Sequence, residues 1–262
     1  MPDTRARQKT FIVGVGYTGS RLLNELNDGV GVRRGDQPNF GPRYNVVYTA
    51  PPADADLEKT LAQMDPPPQR LVYISTTGVY GDCGARLVNE TAAPAPATDR
   101  AKRRVAAEET LLGWSLQKAF DLIVLRVPGI YGPERLGIER IKSATPVLIE
   151  EDANPGNRIH VDDLVRCCVA ALSPDVPAGI YNVGDGDARS QTWFANEVAR
   201  QCGLDAPPTV TRKHAEETFS TDRLFFINES RRLDLRKMRD VLGIAPKYRD
   251  AAAGITASIG KP

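Results

Sequence analysis

Gly14, Gly16 and Gly19 stand in G-x-G-x-x-G spacing, directly after the apolar run Phe11-Ile-Val13 and before a helix-like stretch from Ser20 to Leu26. A strand, a glycine turn and a helix in that order present free backbone amides at a helix N-terminus, and this suits the pyrophosphate of a dinucleotide. Gly14 permits the tight turn, Gly16 lets the backbone approach the pyrophosphate, and Gly19 allows the helix to pack closely on the strand. With 22 glycines in 262 residues the spacing alone arises about 0.15 times by chance, so the flanking strand and helix carry the assignment. Tyr17 and Thr18 within the turn, and Ala50 just past the strand Tyr44–Thr49, complete the expected turn contacts.

A short second strand, Val30-Gly-Val32, ends in Arg33-Arg34, where a dinucleotide fold places the residue that reads the adenosine ribose. The acidic residue that would take a ribose 2′-hydroxyl is missing there. Guanidinium groups suit a 2′-phosphate, so the expected cofactor is NADP, with NAD as the alternative. The competing reading of the two arginines is a solvated basic loop. Asp36 follows them and a glycine, and is not taken as a ribose ligand.

The elements around these residues alternate: strands at Tyr44–Thr49, Arg70–Ser75 and Phe120–Val127, with helices from Ala53 to Met64 and from about Asp99 to Leu112. Such alternation predicts an α/β fold, a doubly wound parallel (Rossmann-like) sheet, with a small C-terminal substrate lobe. Residues 1–127 are expected to form the dinucleotide-binding domain, and 128–262 a mixed segment that returns to the sheet and forms the substrate lobe. That segment reads as a helix Val161–Leu172, a strand Gly179–Val183, and helices Thr192–Gln201 and Arg231–Leu242. Gly35–Arg43 is too short and too broken for the helix and strand that normally come next, so a compressed connection or a gap is expected between Gly29 and Tyr44.

Composition narrows the function classes. The 34 basic and 33 acidic residues nearly cancel, which argues against nucleic acid and anionic membranes as partners. No apolar run is long enough for a bilayer crossing, and Met1–Thr10 is polar, unlike a signal peptide; a cytoplasmic protein is expected. Cys83, Cys167, Cys168 and Cys202 have no metal-site spacing, and His160 and His214 are the only histidines, so no metal is expected. Cys167 and Cys168 read as small apolar residues on a buried helix.

Four segments in order resemble the extended short-chain dehydrogenase/reductase family, also called the NAD-dependent epimerase/dehydratase family. They are Gly14-x-Gly-x-x-Gly19, Ser75-Thr-Thr-Gly-Val-Tyr-Gly81, Leu125-Arg-Val-Pro-Gly-Ile-Tyr-Gly-Pro133 and Arg158-Ile-His-Val-Asp-Asp-Leu164; Tyr181-Asn-Val-Gly184 and Ser230-Arg-Arg-Leu233 extend the likeness. The plain glycine spacing is similar to that of an atypical branch. The resemblance implies a nicotinamide cofactor, a Ser or Thr that hydrogen-bonds the substrate oxygen, matched by Thr76, and a Tyr-x-x-x-Lys pair on the following helix. That pair is absent: aligned on Ala106-Ala-Glu108, the tyrosine position holds Arg100 and the lysine position Arg104. An arginine keeps its proton at physiological pH and cannot relay one. Arg104 remains a candidate for ribose or phosphate binding. Tyr80 and Tyr131 are the nearest acid/base candidates by motif position, against a packing role for both. His160, Asp162 and Asp163 read as a helix start, and Arg126 as a partner for a carboxylate or a cleft residue.

Two functions compete at this level. One is an NAD(P)-binding oxidoreductase or epimerase-like enzyme for a small polar or nucleotide-linked substrate, with a homodimer left open. The other is a catalytically silent NAD(P)-binding sensor or scaffold, which the missing Tyr-Lys pair favours.

Overall fold

The computed structural model describes residues 9–52 and 56–260. Most of the polar opening and the start of the helix expected from Ala53 lie outside the described residues.

Six strands form one parallel sheet: β1 (Lys9–Val13), β2 (Gly29–Val32), β3 (Tyr44–Tyr48), β4 (Arg70–Thr76), β5 (Asp121–Val127) and β6 (Gly179–Asn182). Their spatial order is β6-β5-β4-β3-β1-β2. β4 and β5 are buried along nearly their whole length, because helices cover both faces of a parallel sheet. On one face Leu22 of α1 (Tyr17–Glu25) and Leu164 of the helix Val161–Ala171 pack with Ile12, Val47 and Ile123. On the other, Leu57 and Leu61 of α2 (Asp56–Ala62) and Leu111 of α3 (Asp99–Lys118) pack with Phe11, Val46 and Tyr73. Cys167 and Cys168 are fully buried in the first core, as their apolar reading requires.

α3 begins at a Thr98 cap, whose side chain accepts the Ala101 N–H, and it runs past Leu112 to Lys118. Its buried positions Ala101, Arg104, Glu108, Leu111 and Ser115 keep a helical period that includes three polar residues. Hydropathy alone therefore understates its length. The helix expected over Arg231–Leu242 is a correction: Arg232–Leu233 forms a strand beside Leu87–Val88, and only Arg236–Asp240 is helical. Asp234 interrupts it by accepting the Arg236 N–H at 3.0 Å and pairing with the Arg236 guanidinium at 2.6 Å.

Between β2 and β3 the chain forms no helix or strand, so the connection is compressed. β2 is left as the edge strand. Phe40 fills part of the space a crossover helix would cover: it is buried, meets Phe11 edge-on at 4.7 Å and stacks on Tyr44 at 4.9 Å.

Beyond Val127 the chain builds a lobe and returns to the sheet once, as β6. Within the lobe Gly129–Tyr131 pairs with Arg158–His160, and Val147–Leu148 with Thr209–Val210. Two buried groups fix its loops. Arg158 donates to the carbonyls of Arg189 at 2.6 Å and Ser190 at 3.0 Å, tying the loop after β6 to the lobe. Asp185 in that loop accepts the Asp187 N–H at 2.9 Å with one oxygen, while its other oxygen is buried without a partner among the described residues. Burial pushes the Asp185 carboxyl up to about 7.

Phe40→Ala should lower unfolding stability by about 3 to 5 kcal/mol, as expected for emptying an aromatic site; a loss below about 1 kcal/mol in urea denaturation would remove Phe40 from the role of a substitute cover. For Asp185 the sign follows from its raised folded value: between the ordinary carboxyl value of 3.8 and about 7 the folded state holds a proton that the unfolded state has lost. Stability contributed by that group therefore falls as pH rises through this window. Asp185→Asn should flatten the fall, gaining up to about 4 kcal/mol relative to the native chain between about pH 4 and about pH 7. Parallel urea profiles for the two proteins across that range would refute it.

Candidate cofactor and substrate site

The order of the sheet reverses between β1 and β3, since β2 lies to one side of β1 and β3 to β6 follow on the other. A crevice at the carboxyl ends of the strands is expected at such a point. The glycine turn sits there. Gly14 has φ +100°, and a Cβ on it would lie 2.6 Å from the Ala50 backbone nitrogen; a Cβ on Gly19 would collide with the Gly14 carbonyl. The Thr49 hydroxyl donates to the Gly14 carbonyl at 2.5 Å, and the Ala50 N–H to the Val13 carbonyl at 3.1 Å. Gly16 differs, since nothing lies within 4 Å of where its Cβ would be. It caps α1 with no side-chain hydrogen bond and no acidic residue in the first turn, so the helix N-terminus faces open space with its partial positive charge uncompensated. This arrangement fits a pyrophosphate.

Thr18 is buried, and Tyr17 leaves the turn sideways. The Tyr17 hydroxyl donates to the Pro133 carbonyl at 2.8 Å, and its ring lies between the guanidinium groups of Arg21 at 3.9 Å and Arg135 at 4.8 Å. The turn is thereby tied to the segment that follows β5. Arg33 and Arg34 are exposed just past β2. Asp36 accepts the Arg33 backbone N–H at 2.7 Å, a turn-forming role consistent with leaving it out of the ribose contacts.

Thr76 is half-buried at the end of β4, where its hydroxyl oxygen accepts the Gly78 N–H at 3.2 Å and caps the turn Thr77–Tyr80. The two tyrosines lie elsewhere. Tyr80 is 2% exposed; its hydroxyl donates to Asn182 Oδ1 at 2.7 Å and the Arg126 guanidinium lies 4.7 Å from its ring. Tyr131 is wedged between His160, Phe194 and Gly254, with its hydroxyl buried and unpartnered among the described residues. Burial raises the pKa of both. Neither tyrosine is among the residues that line the lobe cavity described below.

Arg100 is exposed, whereas Arg104 is buried. Arg104 Nη1 donates to the Ile74 carbonyl at 2.5 Å and to the Tyr73 hydroxyl at 3.2 Å, bracing the last residues of β4 below Thr76. Beside it runs a buried network: Ser75 donates to Glu108, and Arg126 pairs with Glu108 at 2.7 Å. Arg126 thus takes the carboxylate partner that was one of its two readings. His160, Asp162 and Asp163 open the helix Val161–Ala171, with His160 Nδ1 accepting the Asp162 N–H at 3.1 Å. Asp163 is spent on the backbone N–H groups of Lys247 and Tyr248, at 2.8 and 3.0 Å.

A lobe cavity of about 160 Å³ begins at Thr77, the neighbour of Thr76. Phe219, Arg223, Phe226, Glu229 and Arg231 form one wall, and Arg140 with Gly156–Asn157 others. Apart from Arg231, these residues carry no motif of their own in the sequence. Those of the first wall come from the short helix Thr221–Asn228 and the loops on either side of it, whose residues show no apolar period; only the arginine and phenylalanine content of 219–231 could have marked them.

Comparison with known proteins bears on the same strand ends. The chain is 25% identical over 201 residues to a dTDP-glucose 4,6-dehydratase of Mycolicibacterium smegmatis, covering 72% of this chain and 58% of that protein. It is 28% identical over 171 residues to a probable UDP-arabinose 4-epimerase 3 of Arabidopsis thaliana, covering 52% and 41%. The chain spans about half the length of the curated relatives it matches. Among solved structures, a functionally unknown conserved protein from Silicibacter pomeroyi matches with a TM-score of 0.82 at 23% identity, over 95% of this chain and 97% of that one. The UDP-glucuronic acid 4-epimerase of Bacillus cereus, in complex with NAD, matches with a TM-score of 0.74 at 16% identity, over 96% and 97%. These likenesses establish the Rossmann-like fold. The family described as NAD dependent epimerase/dehydratase matches residues 57–184, the stretch that carries Thr76, α3, Arg126 and the Arg158–Leu164 segment.

Proposed function

We propose that the chain is an NAD(P)-binding oxidoreductase or epimerase-like enzyme, with NADP as its preferred cofactor and a small polar or nucleotide-linked substrate. The observation that carries this is the open glycine turn at the point where the sheet order reverses, on the same edge of the sheet as Thr76. Support comes from the family match and from structural neighbours solved with NAD. In this reading the amides at Tyr17, Thr18 and Gly19 hold the pyrophosphate, Ala50 lines the adjoining strand end, and Arg33 with Arg34 meet a 2′-phosphate. The cofactor supplies hydride chemistry when bound. Thr76 orients the substrate oxygen through its hydroxyl, and the cavity that starts at Thr77 holds the rest of the substrate. Arg104 acts as a brace for Thr76 in place of the ribose contact first assigned to it. No helix among the described residues is long and apolar enough to cross a membrane, in keeping with a cytoplasmic enzyme.

The second reading, a silent NAD(P)-binding sensor or scaffold, draws on the burial of Tyr80 and Tyr131 and on the arginines at the Tyr-Lys positions. Both readings require cofactor binding. They part at turnover: loss of nicotinamide absorbance with a carbonyl substrate belongs to the enzyme alone.

Fluorescence titration should give tighter binding of NADPH than NADH by about 1.5 to 3 kcal/mol, the range for hydrogen bonds to charged groups, and replacing Arg33 and Arg34 with alanine should erase the difference. High salt should shrink it, because both arginines are exposed. Equal native affinities would end the NADP assignment, and no binding of either would end the reading as a whole. Arg104→Ala should destabilise the fold by about 2 to 4 kcal/mol, since a buried carbonyl and hydroxyl lose their donor. Unchanged stability together with weakened NADPH binding would return Arg104 to the ribose role.

A further inference from the structure

One residue of the glycine turn reaches across to the lobe. Tyr17 is the first residue of α1, so its backbone N–H is among the amides left open at that helix N-terminus. Its phenol hydroxyl donates to the Pro133 carbonyl at 2.8 Å, a partner 116 residues along the chain. The segment around Pro133 is shaped to that phenol. Gly132 has φ +150°, and a Cβ on it would lie 2.8 Å from the Tyr17 hydroxyl and 2.8 Å from Val161 Cγ1. Arg135 closes a turn by donating its N–H to the Gly132 carbonyl at 3.0 Å. Glu134 within that turn stands at φ +64°, a left-handed conformation that a residue with a Cβ keeps only where its surroundings hold it.

The surroundings that hold it come from α1. The Arg135 guanidinium lies 4.8 Å from the Tyr17 ring centroid, and that of Arg21, one turn further along α1, lies 3.9 Å from the same ring. Arg21 also donates to the Tyr17 carbonyl at 2.9 Å and approaches Glu134 at 4.0 Å. An ion pair of that length with an exposed carboxylate adds little, so the phenol is the main fastening. Burial raises the Tyr17 pKa, which keeps the donated proton in place. Beyond the turn the chain enters the lobe: Leu136 packs in its core with Phe194 and Ile255. The helix Ile138–Lys142 then sends Ile141 into the same core and Arg140 to the lobe cavity.

We propose that Tyr17 is a positioning residue that couples the glycine turn to the lobe: a dinucleotide on the α1 amides fixes the phenol, and the phenol fixes Gly132–Arg135 and the helix Ile138–Lys142 behind it. The coupling rests on the cofactor reading above and gives the Tyr17 side chain a role separate from that of its own backbone N–H. By linkage it acts in both directions, so a lobe segment held in place pre-organises the turn for the cofactor.

Hydrogen exchange of the full chain, followed by mass spectrometry with and without saturating NADPH, tests it. NADPH should slow exchange both at Gly14–Gly19 and, severalfold, at Glu134–Lys142. In Tyr17→Phe, at an NADPH concentration that saturates the variant, the slowing should remain at the turn and vanish from Glu134–Lys142. A phenol that merely packs would speed exchange there equally with and without NADPH. Tyr17→Phe should also raise the Kd of NADPH and of NADH by the same factor, about two- to tenfold for one net hydrogen bond, whereas replacing Arg33 and Arg34 acts on NADPH alone. Gly132→Ala should raise both Kd values in the same way from the lobe side; should that variant fail to fold, Tyr17→Phe, which keeps the ring, decides. Exchange at Glu134–Lys142 that ignores NADPH in the native chain, or slowing retained in full by Tyr17→Phe, overturns the coupling and leaves the cofactor reading standing. A native chain that binds no NADPH overturns both.

Discussion

The close approach of three backbones at Gly14 governs the arrangement of the molecule. The end of β1, the start of α1 and the Thr49–Ala50 strand end meet at distances where a Cβ on Gly14 or Gly19 would strike main-chain atoms. That contact sets how deeply α1 sits on the sheet, and therefore where its open N-terminus lies relative to β4. It also decides which glycine is left for a ligand: Gly14 and Gly19 are consumed by packing, and only Gly16 faces free space. The three glycines of one motif thus divide into two that build the turn and one that serves it.

A second constraint holds the neighbouring strand ends. Arg104, Glu108 and Arg126 are all buried between α3, β4 and β5, and each is held by strand atoms or by another member of the group, with Arg126 Nη1 left without a hydrogen-bond partner among the described residues. Breaking one partner would leave an unpaired charge in a dry environment, so the group fixes a single position for the end of β4. Thr76 depends on that position.

The parallel sheet and its helices were legible because each strand is an apolar run of ordinary length bounded by turn residues, and alternation with helices leaves few topologies. The glycine turn was legible for the same reason, since its context is local. The compressed connection after β2 was visible as missing length. Other features depend on tertiary partners. Nothing in the local pattern says that Tyr80 turns its hydroxyl to Asn182, or that Tyr131 lies against the helix Ala251–Ser258, far along the chain. Asp234 alone, by capping back onto Arg236, divides a stretch whose composition reads as one helix. The cavity residues were hidden because they come from short elements joined only in space.

The compressed connection after β2 sets the surroundings of Arg33 and Arg34. With no further strand outside it among the described residues, β2 is the rim of the sheet, and the residues that follow it lie exposed. Phe40 covers the inner face with a single aromatic ring and adds no wall at the rim. An adenosine placed there gains little from apolar burial, so recognition at that end falls to charge and directional hydrogen bonds. Guanidinium groups supply both without needing an enclosing wall. A carboxylate reading ribose hydroxyls at an exposed rim would compete directly with water. On this sheet, the compressed connection leaves the Arg33 and Arg34 side chains exposed at the rim.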